Sequence, residues 1–239
     1  MKHIILLFLL PLSLPAQTRQ GAIVYERKID VHRRIQDDQM KAAIPQFQIA
    51  AYQILFKDSI AVYKAVPKDE APDPFDNPNG NHFVMRFTGP GDDGVFYRNY
   101  NSGRLLEEAT LAEKKYVITD SIHQLPWKLS ADTMTILGHL CKKATTTTPR
   151  GAKVVAWYTG DIPLPIGPDQ FDGLPGAVLK ADADDGGIVF TAKTIQQNIE
   201  SKQLKEPAGG KLITRADFRK KMDEVLGPAD SQGRRIIRN

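Results

Sequence analysis

Between residues 22 and 196 apolar and polar positions alternate in short runs, with turn chemistry between them. Ile23, Tyr25, Ile29 and Val31 share one alternating face of Ala22 to Arg33. Tyr52, Ile54 and Phe56 alternate, Lys57-Asp58-Ser59 turns, and Ile60 and Val62 resume the pattern as a hairpin. Phe83 to Phe87, Val95 to Tyr100, Arg104 to Thr110 and Tyr116 to Ile122 continue it, separated by Gly89 to Gly94 and by Asn101-Ser102-Gly103. Met134 to Thr147, Val154 to Thr159, Ala177 to Ala181 and Ile188 to Ile195 complete it. The pattern predicts a mainly β protein: a single antiparallel sheet of about ten strands, curved or partly closed. No internal repeat breaks that picture.

Three segments depart from the alternation. Asp37 to Ala50 has helix-forming composition interrupted by Pro45, which predicts a short helix or broken turn. Pro67 to Asn81, rich in Pro, Asp and Asn, predicts an exposed loop. At the C-terminal end Phe218, Met222, Val225 and Leu226 recur at helical spacing, with Thr214 and Asp217 placed as a capping pair and Gly227-Pro228 as the stop. These features predict an amphipathic C-terminal helix that packs on the sheet.

The alternation fails most sharply at Asp161 to Gly176, which joins two predicted strands yet is dense in Pro and Gly. Fixed φ at each Pro and free φ at each Gly specify a stiff loop of defined shape. Pro163, Pro165 and Pro168 favour an extended path, leaving Leu164, Ile166, Phe171 and Leu174 free to point inward. Leu174-Pro175-Gly176-Ala177 has the residue order of a type II turn. The binding residues expected from this loop are Pro163, Leu164, Gly167, Pro168, Phe171, Gly173, Leu174, Pro175 and Gly176, with Trp157 from the preceding strand. Two roles are open for it, a plug that closes the core or a lid over a cavity.

The first residues suggest a destination. Lys2 precedes the apolar run Ile4 to Leu10, and Pro11, Ser13, Pro15 and Ala16 follow, in the order of a secretory signal peptide cut after Ala16. The run is far short of the roughly 20 residues that span a bilayer, and no other stretch offers a transmembrane span. The expected organisation is therefore 1–16 as signal peptide, 17–200 as a β-rich domain and 201–239 as the helix and a basic tail. The exported protein would be periplasmic, outer-membrane-associated or extracellular.

The formal charge of +4 belongs to the C-terminal segment, since Lys211 to the end holds eight Lys/Arg against four Asp/Glu. The body before it is balanced, which excludes the basic, aromatic-laced face of a nucleic-acid binder. The single Cys141 allows no intramolecular disulfide. His139 and Cys141, two apart on a predicted strand, share a face and could offer an imidazole and a thiolate to copper or zinc. Asp182 to Gly187 departs from a calcium loop, with Gly one place early and Lys193 at the closing position, and predicts a hairpin turn. No nucleophile elbow, zinc-protease motif or phosphate loop is present, so no catalytic residue and no cofactor is expected.

Trp127, Gly138 to Ala144, Ala156-Trp157-Tyr158-Thr159, Ile162-Pro163, Gly167-Pro168 and Phe171-Asp172-Gly173-Leu174-Pro175-Gly176 match, in order and spacing, the elements of one family. The chain resembles the GLPGLI family over roughly Trp127 to Thr194, with Ala177-Val178 where the motif usually continues Leu-Ile. The resemblance implies a secreted or cell-envelope protein of Bacteroidetes, of unknown function, and supplies no catalytic residue. The expected function is a non-enzymatic module that uses loop 161–176 to bind an apolar small molecule or an envelope protein. The alternative is a metal-binding protein centred on His139 and Cys141.

Overall fold

The computed structural model describes residues 19–66 and 94–227. The expected signal peptide, the loop Pro67 to Asn81, the strand Phe83 to Phe87, most of the turn Gly89 to Gly94 and the tail beyond Gly227 lie outside the described residues. Among the described residues twelve strands form one sheet: β1 (Gln20–Asp30), β2 (Phe47–Lys57), β3 (Ile60–Ala65), β4 (Phe96–Asn99), β5 (Arg104–Leu111), β6 (Lys114–Ser121), β7 (Lys128–Ile136), β8 (His139–Thr147), β9 (Lys153–Thr159), β10 (Ala177–Ala183), β11 (Ile188–Gln196) and β12 (Lys211–Thr214). Their order is β12-β6-β5-β4-β3-β2-β1-β11-β10-β9-β8-β7, open at both ends. All neighbours are antiparallel except β12, which runs parallel to β6. The mainly β architecture with a C-terminal helix is as the alternation predicts, with one parallel pair added.

Some boundaries differ from the sequence expectation. Met134 to Thr147 is not one strand but parts of two, because Leu137 (φ 51°) and Gly138 (φ 82°) make a tight hairpin turn. Two consecutive positive φ values suit such a turn, but Leu is an unusual occupant of the first. The helix in Asp37 to Ala50 is confined to α1 (Asp38–Ala43), capped by Asp37, whose carboxylate accepts from the Met40 N–H at 2.9 Å. Past Pro45 the chain becomes β2.

Alternation sorts the sheet's side chains into two faces. Ile23, Tyr25, Tyr52, Ile54, Phe56, Tyr63, Phe96, Ala156, Tyr158, Ala181 and Phe190 form the main core on one face. Ala22, Leu55, Val62, Tyr97, Leu106 and Val117 form a second cluster on the other, where Ile199 and Leu204 pack against them. The C-terminal helix α2 (Arg215–Leu226) closes a third cluster with Phe218 edge-on to Tyr116, ring centroids 5.4 Å apart. Thr214 caps it as expected, its Oγ1 accepting from the Asp217 N–H at 3.1 Å. Among the described residues no helix is long and apolar enough to cross a membrane.

Candidate functional site

Loop 160–176 leaves β9 and returns as β10, and its path is set by proline. The Leu164 N–H donates to the Ile162 carbonyl and the Ile166 N–H to the Leu164 carbonyl, each at 2.8 Å. These two bonds close successive γ-turns centred on Pro163 and Pro165, whose fixed φ suits the inverse form. The consequence is strict alternation: Ile162, Leu164 and Ile166 are buried, while Pro163 is exposed and Pro165 half-buried.

A third γ-turn replaces the expected type II turn. The Gly176 N–H donates to the Leu174 carbonyl at 2.7 Å, around Pro175, and the Ala177 N–H goes instead to Ile162 at 3.1 Å. Gly173 N–H to Pro165 and Val178 N–H to Ile166, both 2.9 Å, tie the two limbs of the loop together. Gly176 has φ 145°, and a Cβ there would overlap the Thr159 carbonyl oxygen. A Cβ on Gly167 would overlap the Phe171 carbonyl in the same way.

The loop's apolar side chains enter the main core. Ile162, Leu164, Ile166, Phe171 and Leu174 all belong to it, and Phe171 meets Phe190 of β11 edge-on with centroids 5.9 Å apart. The next residue, Asp172, reaches β4. A flat sheet would hold β4 and β11 four strands apart, about 19 Å. Adjacent loop residues thus tie β11 to β4 across the face of the sheet. Phe171 and Leu174 are 3% and 1% exposed, the condition of a plug rather than of a lid over an open cavity.

Asp172 carries the polar part of this lock. Arg98 Nε lies 3.2 Å from its Oδ2, with side chains 8% and 4% exposed. The Tyr100 hydroxyl donates to the same oxygen at 3.1 Å, and Trp127 Nε1 donates to the Asp172 carbonyl at 2.9 Å. Arg98 also donates to the Asp169 carbonyl. Burial pushes the Asp172 carboxyl above its ordinary value, against the pull of Arg98 and Tyr100. Burial would lower Arg98, but the charge of Asp172 holds it above its ordinary value. Desolvation, then the Asp172 charge, drives Tyr100 well above the phenol range.

Sequence reasoning does not single out Arg98 or Tyr100, and it reaches Asp172 only as part of the family motif. A signal exists: Phe96, Arg98 and Tyr100 share one face, so an Arg sits at an inward position between two aromatics. Of the residues expected to bind, Leu164, Gly167, Pro168, Phe171, Leu174 and Gly176 are buried, Gly173 is half-buried and Pro163 and Pro175 are exposed. Trp157 alternates with the buried Tyr158 on β9; it is half-buried, with Lys143 Nζ 6.0 Å from its ring. An open depression of about 410 Å³ borders the loop, lined by Tyr100, Asn101, Asp58, Ser59 and Arg19 together with Pro163, Leu164 and Pro165.

His139 and Cys141 do not converge on a donor set. His139 Nδ1 pairs with Asp161 Oδ2 at 2.8 Å, and Cys141 is fully buried in the core. Among the described residues no three His, Cys, Asp or Glu side chains are placed to hold an ion together. Burial pushes the Cys141 thiol up to about 11, so it is protonated at neutral pH. Native protein at pH 8 is expected to react with a thiol reagent on the order of 100-fold more slowly than unfolded protein, following the thiolate fraction. Equal rates in the two states, measured by absorbance of the released thiolate, would contradict the buried assignment. The raised value also means that the thiol's contribution to stability is present below its unfolded value near 9. It is lost as pH rises toward 11.

The comparisons with known proteins bear on the fold and on this loop. No curated protein matches the sequence. Two crystal forms of PNGF-II share the fold: the P21 form at 16% identity and TM-score 0.57, the C2 form at 15% and 0.58. In both the alignment covers 88% of this chain and 34% of PNGF-II, so the chain spans about a third of that protein's length. Residues 146–180, which include the whole of loop 160–176, match the model of a family described as a protein of unknown function, Porph_ging.

Proposed function

We propose that the chain is an exported cell-envelope protein of the GLPGLI type, a non-enzymatic module that binds a protein partner at the rim of loop 160–176. The supporting observation is the depression beside Pro163 and Pro165, where four chain segments meet around Tyr100. The γ-turns hold these prolines in place, so a partner meets a surface that needs little ordering on binding. A protein partner fits better than an apolar small molecule, because Leu164, Ile166, Phe171 and Leu174 are already committed to the core.

A photo-crosslinking residue at Asn101, on the rim, tests this in cells that export the protein; the same residue at Lys220, on the exposed side of α2, is the control. The expected result is a discrete cross-linked partner from position 101 and none from position 220. The same adducts from both positions, or none from position 101, would contradict the rim as the binding surface.

A further inference from the structure

The C-terminal end of the chain joins the sheet differently from the strands before it. After β11, in the middle of the sheet, residues 197–210 cross to the far edge, where Ile199 and Leu204 rest against the second cluster. Glu206 pairs with Arg104 of β5 at 3.1 Å and anchors this crossing. Pro207 to Gly210 follow, with Gly209 at φ 89° and open space where its Cβ would stand. Such a stretch can swivel without disturbing its neighbours. β12 is four residues long and, among the described residues, pairs with β6 alone. It runs directly into α2, which buries one side chain, Phe218. A helix of twelve residues has little stability of its own, so α2 depends on this docking.

Arg215, the first residue of α2, is the polar fastening. Its Nε lies 3.0 Å from Asp120 Oδ2 of β6, and its Nη2 meets Glu107 Oε2 of β5. The Glu107 side chain is 8% exposed, and the guanidinium supplies its counter-charge. Before β12, Gly210 lies so close to β6 that a Cβ would stand 2.8 Å from the Tyr116 carbonyl carbon. We propose that β12 and α2 form a hinged flap, latched by Arg215, that opens as one unit about Pro207 to Gly210 while the rest of the sheet stays folded. β6 keeps β5 as its partner when the flap lifts, so opening gives up a single strand pair. It bares the edge of β6, the apolar side chains of Leu111, Tyr116 and Ile118, and the carboxylates of Glu107 and Asp120. The flap therefore controls access to an apolar, acidic surface that its own Phe218 and Arg215 occupy when closed.

Native-state hydrogen exchange of the intact protein in rising urea separates local from global opening. The amides of β12 and α2 are expected to share one opening free energy, well below that of β1 and β10. Arg215→Ala should speed exchange of both elements on the order of 10- to 100-fold, as the loss of charged hydrogen bonds implies. Gly210→Ala should speed them too, by pushing β12 off the Tyr116 backbone. In both variants β1 and β10 are expected to exchange as in wild type. Four results would each overturn the proposal: flap amides that exchange only together with β1 and β10, β12 and α2 that open at different free energies, variants that speed β1 and β10 as much as the flap, or variants that leave the flap unchanged.

Discussion

Asp172→Ala is expected to destabilise the fold by about 3–5 kcal/mol, because it leaves the Arg98 guanidinium buried without its counter-charge. The pair is 3.2 Å apart and almost fully enclosed, so water cannot take the carboxylate's place without opening the loop. Arg98→Met should cost a similar amount for the converse reason. The double variant Arg98→Met/Asp172→Ala should cost clearly less than the sum, since neither charge is then stranded. Urea denaturation of the four proteins gives the coupling directly, and additive losses would show that the two groups do not act as a pair. The pH dependence has a definite sign. With the Asp172 carboxyl raised by burial, the folded state holds the proton more tightly than the unfolded chain does. Its contribution to stability is therefore greatest below about pH 4 and is lost as pH rises through the raised value. The penalty of Asp172→Asn should accordingly shrink over that window.

Gly176→Val is expected to cost about 3–5 kcal/mol, from an unfavourable φ combined with overpacking. At φ 145° a β-branched residue is strained, and its Cβ would meet the Thr159 backbone rather than a side chain that could move aside. Gly160, at the other end of the loop, has nothing within 4 Å of a Cβ position. Gly160→Ala should therefore stay within about 0.5 kcal/mol of wild type. Thermal melting of both variants checks the contrast; equal losses would mean that the close approach of Gly176 to Thr159 does not hold.

The alternation of the body and the inward set Leu164, Ile166, Phe171 and Leu174 were legible because each depends on neighbours in sequence. The turn at Pro175 was not, because Leu-Pro-Gly-Ala fits a type II turn and a γ-turn alike. What selects between them is the bond from the Ala177 N–H to Ile162, fifteen residues away in the chain. The inward parity of Arg98 could be read, but its partner Asp172 comes from a loop far away in sequence. β12 stayed hidden because four residues carry little pattern of their own and their partner, β6, is parallel and distant in sequence. The Leu137-Gly138 turn was obscured by a leucine in a conformation that usually selects Gly or Asn.

If loop 160–176 is part of the core, its amides open only when the whole fold opens. Native-state hydrogen exchange tests this most directly, because it reads the opening of individual amides. The N–H groups of Leu164, Ile166, Gly173 and Gly176, each bonded within the loop, are expected to exchange only with global unfolding, at the same free energy as the amides of β1 and β10. Exchange of these four amides at a much lower opening free energy, with β1 and β10 still protected, would show a lid that opens on an intact sheet and would contradict the plug.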